Sequence, residues 1–191
     1  MPDLEKKRKV IVDLGANSGE FTSYILQVSN DCRVYAFEPN SAIVDKYLNS
    51  LKQTYSDRLE IHEIAVVEKQ QNEVKLYGTN LINGQIASTL RINPESPYWG
   101  SISDFYKIEL NSINSVNISG LTPKDLFMQS IITEDITILK IDIQGNDIQV
   151  AIEFAKVYQI DLLILEIDCF ESPEESRYIG SMNEFQQLIP L

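Results

Sequence analysis

Asp13 lies near the end of a short run of mostly branched apolar residues, Val10 to Leu14, and Gly15 and Gly19 follow it, in the order Asp-x-Gly-x-x-x-Gly. Glycine at such a point lets the backbone turn sharply and approach a ligand with no Cβ in the way. The helix that follows offers free N–H groups at its start. Glu38 ends a second apolar run, 23 residues beyond Gly15. A carboxylate there can accept hydrogen bonds from both hydroxyls of a ribose. The pattern describes a nucleoside pocket, and two ligand classes compete for it. A dinucleotide fold wants Gly-x-Gly-x-x-Gly and sets a pyrophosphate on the helix dipole. Here Asp13 holds the first glycine place, and a carboxylate beside a pyrophosphate is electrostatically unfavourable. S-adenosylmethionine carries a sulfonium and an ammonium and no phosphate, and so suits an acidic loop. Gly15, Ala16, Asn17 and Gly19 are expected to hold its methionine end, and Glu38 its ribose. Asp13 either accepts from the ammonium or braces the loop.

Further acids stand at the ends of later apolar runs. Asp142 ends Ile136 to Ile141, and Glu166 ends the run that starts at Leu162. Were S-adenosylmethionine the ligand, its reaction would be methyl transfer, an in-line displacement on an already activated carbon in which alignment contributes roughly 7–11 kcal/mol. A hydroxyl acceptor must also lose a proton, and a positioned base typically adds 10²–10⁴-fold. Asp142 and Glu166 are the candidate bases, and Asp142 is expected to touch the cofactor as well. Pro39 flanks the ribose acid. Ile64 and Ala65 lie where the third apolar run ends, so adenine is expected to meet apolar contact and backbone groups there. The single histidine, His62, reads as a packed side chain rather than a base. Tyr98, Trp99, Phe105 and Tyr106 form either an acceptor platform or a satellite core under a loop, the second being favoured.

The elements that would position these residues alternate. Val10–Leu14, Arg33–Glu38 and Leu59–Val67 read as buried strands. Between them, Phe21, Tyr24, Ile25 and Val28 keep helical spacing, as do Val44, Tyr47, Leu48, Leu51 and Tyr55. Asn40 or Ser41 can cap the second helix. This β-α-β-α-β order predicts an α/β fold with a doubly wound, mostly parallel sheet. The rhythm breaks at about residues 68–120, read as an insertion of short strands and loop within a single domain. Residues 73–77 alternate like an antiparallel strand, with 86–92 as the expected partner. Residues 93–106 read as a loop or lid. Thr122-Pro123 starts a helix that runs to about Met128. The parallel rhythm then resumes with Ile136–Ile141, a helix marked by Ile148, Ala151, Ile152 and Ala155, and a buried strand from Leu162. The tail from Glu171 is polar, then weakly helical.

The chain has 191 residues, 43% of them hydrophobic, enough for one domain with a real core. Sixteen basic against 28 acidic residues give a net charge of -12, which suits neither a nucleic-acid backbone nor an anionic membrane surface. Cys32 and Cys169 lie too far apart for a metal-ligand spacing and are too few for a disulfide framework. With no long apolar run, the chain reads as a soluble protein of a reducing compartment, the cytoplasm.

Val12-Asp-Leu-Gly-Ala-Asn-Ser-Gly19, Val34-Tyr-Ala-Phe-Glu-Pro-Asn40, His62-Glu-Ile-Ala-Val66 and Leu139-Lys-Ile-Asp-Ile-Gln-Gly145 occur in this order. As an ordered set they resemble the FkbM family of S-adenosylmethionine-dependent methyltransferases. Ile86-Ala-Ser-Thr-Leu90 is similar to that family's small-Ser-Ser-Leu segment, and Leu121–Leu126 to its Thr-Leu-Asp-Asp-Leu stretch. The resemblance runs from about Val10 to Leu188. It implies a class I methyltransferase (Rossmann-like) fold and O-methylation of a hydroxyl on a sugar or secondary metabolite. Three departures stand out. The family's Glu-Gly-x-Glu after the strand-four Asp is here Gln144-Gly-Asn-Asp147. The Thr-Leu-Asp-Asp stretch is Thr122-Pro-Lys-Asp125. The chain also stops at Leu191, before the strand pair that ends the resembled fold, which reads as truncation. The altered acids keep open a second reading, a non-catalytic cofactor-binding or scaffolding domain. A nucleotide-binding oxidoreductase is disfavoured by Asp13 and by the glycine spacing.

Overall fold

The structure is a computed structural model that describes residues 8–71, 73–79, 81, 86–107, 113–167 and 175–179. Cys169 and most of the tail from Glu171 lie outside these residues.

Five strands form a parallel sheet: β1 (Lys9–Leu14), β2 (Cys32–Phe37), β3 (Leu59–His62), β9 (Ile136–Ile141) and β10 (Ile160–Leu165). Their order is β10-β9-β1-β2-β3. The chain runs outward from β1 through β2 to β3, then returns to the other side of β1. The crevice between β1 and β9 is therefore a topological switch point, where ligands of such sheets bind. This is a Rossmann-like arrangement of a parallel sheet with helices on both faces.

The register positions the chemistry. Leu14 pairs with Phe37 on one side and Ile141 on the other, Ile141 pairs with Leu165, and Phe37 pairs with His62. Each is the last residue of its strand. The residues that follow, Gly15, Glu38, Asp142, Glu166 and Glu63, therefore leave the sheet along one rim.

Side chains alternate across the sheet. On one face Val12, Leu14, Phe37, Leu139 and Ile141 pack against α5 (Pro123–Met128) and α6 (Asp147–Ala155) through Leu126, Val150 and Phe154. On the other, Ile11, Val34 and Ala36 pack against α1 (Glu20–Val28) through Leu26 and against Val44 and Leu48. Those two residues sit in a π-helical turn, Val44–Leu48, that joins α2 (Ser41–Ile43) to α3 (Asn49–Thr54). Asn40 caps α2, accepting a hydrogen bond from the Ala42 N–H. Thr122 and Asp125 close a reciprocal capping box on α5.

Several expectations need correction. In α1 the buried stripe is Thr22 and Leu26, while Tyr24 and Val28 are exposed. A hydroxyl counts as polar in a periodicity, but the Thr22 hydroxyl donates to the buried Asp13 carboxylate at 2.7 Å and turns that face inward. The run Leu59–Val67 is not one strand. It breaks after His62, and β4 (Ala65–Val66) pairs instead with β8 (Gly120–Leu121). The partner of β5 (Val74–Tyr77) is β7 (Ser115–Ile118), antiparallel, and residue 88 makes only an isolated bridge to Tyr77. The expected lid at 93–106 holds a ten-residue helix, α4 (Pro97–Tyr106), with proline in its first turn. Trp99 on α4 is fully buried against Tyr178 of β11 (Tyr178–Ile179), which pairs with β6 (Arg91–Ile92). Finally, β10 is not buried: Leu162, Leu163 and Ile164 are 41–51% exposed, because this strand forms the sheet edge. Among the described residues no helix is long and apolar enough to cross a membrane.

Candidate functional site

The loop after β1 is tied down by its own backbone. Gly15 takes φ +71°, and a Cβ there would lie 1.9 Å from the carbonyl oxygen of Asp142. Only glycine allows this approach. The Gly15 and Ala16 N–H groups both donate to the Phe37 carbonyl at 3.0 Å. The Asn17 N–H donates to Glu38 Oε2, also at 3.0 Å. Three successive loop N–H groups are thus occupied by the end of β2.

Glu38 also accepts from the Asn40 N–H through Oε1, at 2.8 Å. Burial raises its pKa, against the pull of the two backbone donors and of Lys140. Each carboxylate oxygen has further lone pairs for a ligand.

A cavity of about 120 Å³, open to solvent, lies beside these groups. One wall is Phe37, Pro39, Ile64, Ala65 and Val66, a slot of apolar side chains. The opposite end is Gly15, Asn17, Asp142, Ile143 and Gln144. Leu76 of β5, with Ala87 and Thr89 further along the chain, completes it. Among the described lining residues there are two carboxylates, Glu38 and Asp142, and no basic side chain.

Of the residues singled out from sequence, Gly15, Asn17, Glu38, Pro39, Ile64, Ala65 and Asp142 line this cavity. Asp13, Ala16, Gly19 and Glu166 do not. Asp13 is fully buried under the loop, between the Thr22 hydroxyl and the Lys140 ammonium at 3.2 Å, so its side chain braces the turn. Lys140 pairs with Asp13 in register and also donates to the Gly15 carbonyl at 2.9 Å. Ala16 is buried in the α1-side core. Gly19 adopts φ +78° as the residue preceding α1, packed close to Leu48 and Leu51. His62 stacks on Phe37 with ring centroids 4.8 Å apart and backs the apolar slot. Burial lowers its pKa.

Glu166 stands behind Gln144. The Gln144 Nε2 donates to Asp142 Oδ1 and to Glu166 Oε2, both at 2.8 Å. The Arg177 guanidinium reaches Glu166 Oε1 at 3.3 Å. Burial, a hydrogen bond with the Asp142 carboxyl and that group's charge push Glu166 up to about 7, against the pull of Arg177. A raised native pKa favours the protonated native state. That contribution is fully present below about 4.5 and is lost as pH rises through about 7. Glu166→Gln should therefore gain stability relative to the unsubstituted protein between pH 5 and 8. With the side chain 39% exposed, about 1–2 kcal/mol is expected after solvent screening. Thermal melts of both proteins across that range check it, and a constant difference would contradict it.

Sequence reading missed Gln144 as a site residue, although it marked that position as a departure. It also missed Leu76, in a strand that carried no candidate, and Thr89, in the Ile86–Leu90 segment noted only for its resemblance. Trp99 is core rather than platform, while Tyr98, Phe105 and Tyr106 remain exposed.

Searches of curated proteins and of solved structures give no match. A family model, described as the methyltransferase FkbM domain, matches residues 13–188. That span begins at the buried acid under the glycine loop and takes in the whole rim from Gly15 to Glu166. With the switch-point crevice and the row of strand-end acids, it makes this chain a member of the FkbM methyltransferase family.

Proposed function

We propose that this methyltransferase uses S-adenosylmethionine and methylates a hydroxyl, with a sugar or secondary metabolite as acceptor. One observation carries the choice of cofactor. The loop N–H groups that would cradle a pyrophosphate already donate to Phe37 and Glu38, and the cavity they border presents carboxylates. Such a site repels phosphate and suits a cationic nucleoside.

The residues present fit that cofactor. Glu38 would accept from the ribose hydroxyls, and Phe37, Pro39 and Ile64 would hold the adenine. Gly15, Asn17 and Asp142 would face the methionine end. The bound cofactor supplies a methyl group on a sulfonium, already activated for displacement. The protein's part is to exclude water and to align the acceptor oxygen. Asp142, at the cavity end, takes the hydroxyl proton.

Removing the ribose acceptor tests the assignment. Glu38→Ala should weaken S-adenosylhomocysteine binding at least about tenfold, since hydrogen bonds to charged groups contribute about 1.5–3 kcal/mol. Calorimetric titration measures this, and an unchanged affinity would sink the ribose assignment. Incubation of labelled cofactor with a panel of hydroxyl compounds tests O-methylation. Bound cofactor with no labelled product from any of them would speak for a binding domain.

A further inference from the structure

Gln144 combines features that a surface turn does not need. Its backbone lies in the left-handed region at φ +63°, where a residue other than glycine is uncommon. Its carbonyl accepts from the buried Ser88 hydroxyl at 2.6 Å, which ties the turn to the stretch that roofs the cavity. Gly145, at φ +114°, lets the buried Tyr178 ring approach, since a Cβ there would lie 2.8 Å from it. The Tyr178 hydroxyl then donates to Gln144 Oε1 at 2.8 Å. The amide is held at both ends. Its oxygen takes the tyrosine proton, and its two N–H groups point at two carboxyls that an oxygen there would repel.

We propose that Gln144 is a positioning residue, whose side-chain amide ties Asp142 and Glu166 into one proton-sharing unit. This rests on the methyltransfer reading above. During transfer the acceptor's O–H bond breaks as its new O–CH₃ bond forms and the donor's S–CH₃ bond breaks. The proton goes to Asp142, which faces the cavity, and on to Glu166 behind it, whose 39%-exposed side chain releases it to solvent, leaving Asp142 ready for the next acceptor. No electrons are exchanged with any further reactant. The groups around the unit favour this direction. Lys140 approaches Asp142 at 3.7 Å. Asp147, on α6, adds negative charge toward both carboxyls, and its own side chain is held by the Ile143 and Gly145 N–H groups. Arg177 steadies the ionised form of Glu166. Without the amide, two acids would face each other with less to separate their charges, and one would hold its proton to higher pH.

The test is a carboxyl titration that needs no turnover. In the full chain with ¹³C-labelled glutamate side chains, one resonance should titrate near neutrality and vanish in Glu166→Gln. In Gln144→Met, close in size and without the amide, its midpoint should rise by about one pH unit or more. Tyr178→Phe, which only frees the amide oxygen, should move it the same way by less. The rising limb of kcat against pH should shift in step. A midpoint unmoved in Gln144→Met would overturn the proposal. If that variant does not fold, an unmoved midpoint in Tyr178→Phe does the same. Absence of S-adenosylhomocysteine binding by the unsubstituted protein would instead reject the cofactor reading, and would leave the titration result standing.

Discussion

Asp142→Asn is expected to lower kcat for methyl transfer by about 10²–10⁴-fold, the usual contribution of a positioned base. The substitution keeps the size of the side chain and an oxygen that can accept from Gln144, so the fold should survive. It removes the charge and with it the capacity to take a proton. Asp142 lines the cavity whereas Glu166 does not, so Glu166 cannot replace it without a rearrangement of Gln144. The affinity for S-adenosylhomocysteine should change far less than kcat, because Glu38 and the apolar slot are untouched. Measuring kcat and the dissociation constant on the same preparation separates the two. Equal losses in both would assign Asp142 to cofactor binding rather than to proton transfer. Full activity would remove it from the reaction altogether.

Gly15→Ala is expected to be the most damaging single methyl group in the molecule. The new Cβ would meet the Asp142 carbonyl oxygen at 1.9 Å, at a φ that L residues rarely adopt. Left-handed backbone costs about 1–2 kcal/mol, and displacing packed neighbours costs typically 1–3 more. The neighbour here is backbone at the residue that follows β9, and it cannot swing aside as a flexible side chain would. For a chain of this length such a loss lowers the melting temperature by roughly 5–15 °C. Cofactor affinity should fall with it, because the Asn17 N–H that helps hold Glu38 sits two residues along. The contrast is Gly100, on exposed α4, where an added Cβ meets nothing within 4 Å. Alanine there should leave the melt nearly unchanged. Similar melts for the two variants would mean that the loop does not press on β9 as described.

Much of the site was legible from residue types because strand ends are local events. A run such as Val10–Leu14 must stop where Gly15 turns the backbone, and an acid just after such a run projects from the sheet rim. Glu38 and Asp142 could therefore be named from spacing alone. The reading failed where side chains changed character on burial. Thr22 looked polar but is drawn inward by Asp13, so α1 shows the solvent a different face from the one its apolar period predicts. Asp13 itself looked like a ligand group, yet Lys140 and Thr22 take up its carboxylate. Lys140 lies 127 residues away in the chain, and only the β1–β9 register brings the two together.

The linear order of residues settled the fold class, the glycine turn and the carboxylates of the rim. Each follows from local propensity and from a strand's need to end. Tertiary structure decided which of those acids face the cavity and which stand behind it. It also decided that Leu76, Ala87 and Thr89, none of them a candidate from sequence, close the pocket, and that one glutamine amide joins two acids that follow neighbouring strands. Those outcomes depend on strand order and register, which are set by how the whole chain buries its two apolar faces, and no short window of sequence carries that information.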